Sequence, residues 1–190
     1  MTAPSVTAGD GRLAPGDACR RAVELGASAA VELTGAAVVT AEWVGLKCRY
    51  GGCSAGRCLT CPPFSPEPDR TRRLLDEYAR VLLLRLDVAP DDADGWLAHS
   101  RRLAGVALDL ERELVLAGSY RALALAGGRP CDRDEPCGRP EECEVRGLVR
   151  PGPAGCGIDV FATAAGAGWI IDVVRGATDP YRLFALVLVD

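Results

Sequence analysis

The sequence predicts an α/β protein: a mixed, partly parallel sheet flanked by helices, with two cysteine-rich loops meeting at one sheet edge. Three observations predict it. "RVLLLRLDV", residues 80–88, is rich in branched aliphatics, ends in the turn-like "APDDADG" and reads as a buried strand. Over 92–117 the apolar residues Trp96, Leu103, Val106, Leu110, Leu114 and Ala117 recur at helical spacing, and Gly118 supplies a left-handed stop. "RALALA", 121–126, is then a second strand, and a strand-helix-strand unit of this kind crosses over right-handed between parallel strands.

The other elements follow in chain order. Residues 1–14 are rich in Ala, Thr, Gly and Pro and read as a flexible tail, with 15–190 as a single domain. A short amphipathic helix is expected over 15–25, with Cys19 a core thiol, and "ASAAVEL" is a strand. The apolar pattern of 36–47 fits strand and helix alike. Further on, Ser65 caps a helix over 66–78, Pro66 suits its first position, and Glu67 and Asp69 favour its positive end. A helix over 153–165 follows the Pro-rich "RPGP", and "LFALVLVD" ends the chain as a strand.

Composition excludes several function classes. With 190 residues, 48% hydrophobic and 25% charged, the chain has enough material for a core without covalent staples. Its longest charge-free run, "VFATAAGAGWII", has twelve residues, short of the roughly 20 a membrane-spanning helix needs. The first residues lack the basic and apolar regions of a secretion signal, so a cytoplasmic protein is expected. Net charge is −4 and no long basic tract occurs, which argues against nucleic-acid partners. The single lysine, Lys47, precedes Cys48 and no Ser or Thr, so there is no P-loop. With a single histidine there is no histidine pair, and no helix-borne carboxylate-histidine set occurs, so hydrolase chemistry is unsupported as well.

Nine cysteines are the anomaly. Cys48, Cys53, Cys58 and Cys61 are spaced Cys-x4-Cys-x4-Cys-x2-Cys and lead into Pro62-Pro63. Cys131, Cys137 and Cys143 are spaced Cys-x5-Cys-x5-Cys, with Cys156 thirteen residues on. In a reducing compartment such runs read as metal or redox sites before disulfides. Thiolate is a soft ligand that selects zinc or iron-sulfur clusters. With His99 the only histidine, a His-containing zinc site is disfavoured and a Rieske centre, which needs two, is excluded. Only Cys58 and Cys61 have the knuckle spacing of a zinc ribbon, whereas Cys61-Pro62 has the look of a ferredoxin loop end. Spacing alone leaves the metal open.

Two stretches carry a resemblance: "WVGLKCRYGGCSAGRCLTCPPFSPEPDRTRRLLDEY" and "PCDRDEPCGRPEECEVRGLVRPGPAGCGIDVFAT". Together they resemble the predicted metal-binding family catalogued as domain of unknown function 2284, over about residues 15–190. Cys48, Cys53, Cys61-Pro62-Pro63, Cys143, Arg150-Pro151 and Gly157-Ile158-Asp159-Val160 stand at that family's motif positions. The resemblance implies a metal site built from Cys48, Cys53, Cys61, Cys131, Cys137 and Cys143. Cys58 and Cys156 depart from the family pattern and are lesser candidates, and the second run is spaced differently.

The leading expectation is an iron-sulfur protein, of the 4Fe-4S kind, serving electron transfer or redox support of a partner protein. The alternative is a zinc-stabilised structural or interaction module without redox chemistry. A third reading, an enzyme acting on a small molecule at an open iron position, needs an incomplete ligand set. Around the site, His99 and Asp159 read as packing and local-backbone residues, while Arg49, Arg57, Arg139 and Arg150 read as solvated. Tyr50 and Phe64 fit either a water shield or loop packing.

Overall fold

Along β2 (Val81–Val88) the side chains alternate between two cores, as the period of two of an extended chain requires. Leu82, Leu84, Leu86 and Val88 enter one core; Val81 and Leu83 enter the other. These positions belong to a computed structural model that describes residues 17–51, 56–90, 92, 95–128, 131, 139, 142–176 and 178–190. The tail expected at 1–14 and the candidate ligands Cys53 and Cys137 lie outside the described residues.

The described elements run α1 (Asp17–Glu24), β1 (Ala29–Leu33), α2 (Glu42–Tyr50), α3 (Pro68–Leu75), β2, α4 (Trp96–Leu116), β3 (Leu123–Ala126), α5 (Val160–Gly166) and β4 (Tyr181–Leu188). One face of the sheet is covered by α1 and α4, whose Ala18, Ala22, Leu103, Val106, Leu110 and Leu114 pack on the strands. The other is covered by Leu75 of α3, Tyr78, Val38, Cys156, Ile158 and Ala164 of α5. Each fully buried leucine contributes about 1.5–3 kcal/mol, so the aliphatic strands stabilise the sheet from both sides. Cys19 packs against the edge of the first core as a half-buried thiol.

The sheet corrects the partly parallel expectation. Its order is β1-β2-β4-β3 and every neighbouring pair is antiparallel. β2 and β3 do point the same way, since both oppose β4, but β4 lies between them. The reason is length: β4 matches β2 over eight residue pairs, from Val81↔Leu188 to Val88↔Tyr181, and β3 offers only four residues. The C-terminal strand thus takes the place beside β2 that the crossover rule had assigned to β3.

Two helices also start elsewhere than expected. α3 begins at Pro68 with Glu67 as its flanking residue, because the Ser65 hydroxyl donates to the Gly155 carbonyl at 2.6 Å instead of capping. The stretch 153–165 is broken in two: a short 3-10 turn at Ala154–Cys156 ends at Gly157, whose φ of 76° is left-handed, and α5 starts at Val160. The ambiguous 36–47 region resolves into a 3-10 turn, a single bridge of Thr40 to Ile158, and α2.

Candidate functional site

Cys48 stands on the last turn of α2, and Cys61 closes a turn by donating its amide to the Cys58 carbonyl at 3.1 Å. The Cys61 carbonyl accepts from the amides of Phe64 and Ser65 at 3.0 and 3.3 Å. This turn is fastened to the segment before α5: Gly152 donates its amide to the Thr60 carbonyl at 2.9 Å, and the Ser65 hydroxyl reaches Gly155. That segment is fastened in turn to the end of β3, where the Ala126 amide donates to the Pro151 carbonyl at 2.9 Å. Glycine is required at 155, since a Cβ there would lie 2.8 Å from the Thr60 carbonyl oxygen. Backbone contacts therefore hold the turn of Cys58 and Cys61 near the C-terminal end of β3.

Beside these contacts opens a cavity of about 400 Å³. Cys48, Thr60 and Cys61 line it from the cysteine side, Trp96 and Leu103 from α4, and Phe161 from α5. Close by, Cys156 is fully buried in the second core. Burial pushes its thiol up to about 12, the neighbouring Cys48 adds to the rise, and Thr71 opposes it. The Thr71 hydroxyl is buried beside Cys156 and has no partner of ordinary hydrogen-bond geometry among the described residues.

Of the six expected ligands, Cys48 and Cys61 share the cavity lining. Cys131 and Cys143 are half-buried and are not among the lining residues. Cys53 and Cys137 lie outside the described residues. Of the lesser candidates, Cys58 is only 4% exposed and Cys156 is a core residue. Among the described residues, no group of three or more His, Cys, Asp or Glu is arranged to hold a metal ion. The seven described cysteines form no disulfide with one another.

The remaining sequence candidates are engaged elsewhere. His99 is 3% exposed and contacts the Tyr181 hydroxyl and Asp92. Asp159 caps α5, its Oδ1 accepting from the Ala162 amide at 2.9 Å. Arg49 pairs with Glu67, Arg139 with Glu142, and Arg57 is exposed. Arg150 is more than a solvated cation. It grips Glu111 of α4 through Nε at 2.8 Å and Nη2 at 2.5 Å, and this carboxylate also accepts the Ala124 amide. Tyr50 and Phe64 are both exposed, so neither closes the site to water.

The apolar wall of the cavity is what sequence reasoning missed. Trp96 belongs to the periodic stripe of α4, yet it sits at the helix start and is 58% exposed. The pair Gly127-Gly128 after β3 was the usable signal, because glycines next to a strand mark close backbone approach. A Cβ on Gly128 would lie 2.2 Å from the Ser100 carbonyl oxygen of α4.

No helix among the described residues is long and apolar enough to cross a membrane. Neither the curated proteins nor the solved structures compared with the chain include a significant match. A family model does match, over residues 32–189, which takes in both cysteine runs, the Cys-Pro-Pro turn and the Gly-Ile-Asp-Val segment that the cavity region joins. The chain belongs to the family described as predicted metal-binding protein (DUF2284).

Proposed function

We propose that this chain holds an iron-sulfur centre at the cysteine side of the cavity and serves a redox role, passing electrons to or from a partner protein. The observation that carries the reading is the sharing of one cavity by Cys48 and Cys61, with Cys156 next to Cys48, in a chain whose one histidine is already hydrogen-bonded. The donors are sulfur only, which suits iron-sulfur chemistry. Cys48 and Cys61 would hold the centre together with thiols from Cys53, Cys131, Cys137 and Cys143. When bound, a 4Fe-4S group would supply reversible one-electron transfer.

The protein's own contribution is positional. Backbone bonds from Thr60, Ser65 and Cys61 fix the turn that carries the thiols, and the two hydrophobic cores stabilise the fold without needing a metal as a staple. That independence favours a redox centre over a zinc whose purpose is folding. Anaerobic purification followed by iron, zinc and acid-labile sulfide analysis tests the reading. Iron and sulfide in matching amounts, lost in Cys61→Ala, are expected; a colourless protein with stoichiometric zinc overturns it.

A further inference from the structure

We infer that the cavity is a binding site for a small, uncharged, largely apolar molecule, which meets the protein against the thiols of Cys48 and Cys61. This deepens the reading above by naming the class of molecule that would approach the metal centre; only the presence of metal there rests on that reading.

The first argument is size. A volume of about 400 Å³ falls within the range of roughly 300–1,000 Å³ typical of small-molecule sites and is far too small for a folded partner. The second is lining. Apart from two thiols, the walls are chiefly aliphatic, aromatic and glycine backbone, with Trp96, Leu103 and Phe161 offering side-chain surface and Gly127 and Gly128 offering close approach. Trp96 is 58% and Phe161 48% exposed, so contact area remains for a guest to cover.

The third argument is charge. Arg182 and Asp172 are the charged lining residues. Arg182 is held by Asp87 Oδ1 at 3.2 Å and by the Ile170 carbonyl at 2.6 Å, so its guanidinium is compensated before any guest arrives. One cation already paired and one carboxylate give an anion little to bind. The hydroxyls of Thr60 and Ser100 can each meet one neutral hydrogen-bonding group, which fixes orientation without selecting a charge.

The test uses the purified full chain and two fluorescent probes that share an aromatic body: neutral N-phenyl-1-naphthylamine and its sulfonated relative 8-anilinonaphthalene-1-sulfonate. Saturable one-to-one binding of the neutral probe is expected, at least tenfold tighter than that of the sulfonate. Trp96→Ala and Phe161→Ala should each weaken it about tenfold, whereas Leu116→Ala, at an exposed α4 residue away from the cavity, should leave it unchanged. Binding that does not saturate, that prefers the sulfonate, or that the two cavity variants leave within twofold overturns the inference. Iron is measured on the same samples. Iron without probe binding removes the inference and keeps the metal reading; binding without iron does the reverse.

Discussion

The Tyr181 hydroxyl and His99 Nδ1 are 2.8 Å apart, and this contact decides what the chain's one histidine can do. On the other side of the ring, Asp92 Oδ2 is 3.2 Å from Nε2. An ionised carboxylate can only accept, so in the neutral ring Nε2 carries the hydrogen and Nδ1 accepts from Tyr181. Both nitrogens of this buried ring are thereby occupied, in a chain of contacts that ties α4 to β4. The histidine's place is in the packing.

Tyr181→Phe removes the donor to a buried nitrogen while keeping the ring. A stability loss of about 1–3 kcal/mol is expected in urea denaturation, the range for leaving a buried polar atom unsatisfied. Iron content should not change, since His99 is no ligand in the proposed centre. A loss of iron relative to wild-type in folded His99→Ala would contradict the assignment.

Gly157 and Gly105 should respond to alanine with opposite signs. At 157 the backbone is left-handed, and a Cβ would fall 2.4 Å from Pro68 Cγ, part of a ring that cannot swing away. Strain and overlap together predict a loss of about 2–4 kcal/mol. Gly105 lies inside α4 with nothing within 4 Å of its would-be Cβ, so Gly105→Ala should gain about 1 kcal/mol from helix propensity. Thermal or chemical denaturation of the two variants reads both signs. Loosening at Gly157 should also lower metal retention, as it frees the segment that clasps the Cys61 turn.

The same contacts explain how far the sequence was legible. Alternation along Val81–Val88 and the stripe Leu103, Val106, Leu110 and Leu114 are local periodicities, and each element that carries them forms where expected. The place of β4 is not local: nothing in "RALALA" says that it is too short to hold the position beside β2 against an eight-residue competitor. Ser65 has the composition of a cap, but its hydroxyl serves a carbonyl 90 residues away. Cys48 and Cys61 were legible as candidates from type and spacing. The cavity they share depends on residues from α4, α5 and β4 that no spacing rule connects.

Cys156 should make the metal-free protein sensitive to alkali. Its folded-state value, about 12, lies above the ordinary 9.0 because burial penalises the thiolate. The unfolded thiol therefore ionises first. Its contribution is fully present below pH 9 and is lost as the pH rises from about 9 to 12, at up to about 1.4 kcal/mol per pH unit. Cys19, Tyr78 and Tyr181 are also raised by burial and add slopes of the same sign. Cys156→Ala removes only its own share, so the stability-against-pH curve of the variant should be flatter by up to one proton over that window. Equal slopes in both proteins would show that the thiol does not stay protonated in the fold.

Cys58 and Cys61 are three residues apart and should part company on mutation. Cys58 is 4% exposed and Cys61 is half-buried in the cavity lining. Cys58→Ala removes a small buried group, so it should cost about 1 kcal/mol in stability and leave iron and sulfide bound. Cys61→Ala deletes a thiol that the core does not need. The folded fraction should be preserved, with iron and sulfide lost. Denaturation curves and metal analysis on the two variants, purified side by side without oxygen, separate packing from ligation. If Cys58→Ala loses its iron and Cys61→Ala keeps it, the ligand assignment within this turn is reversed.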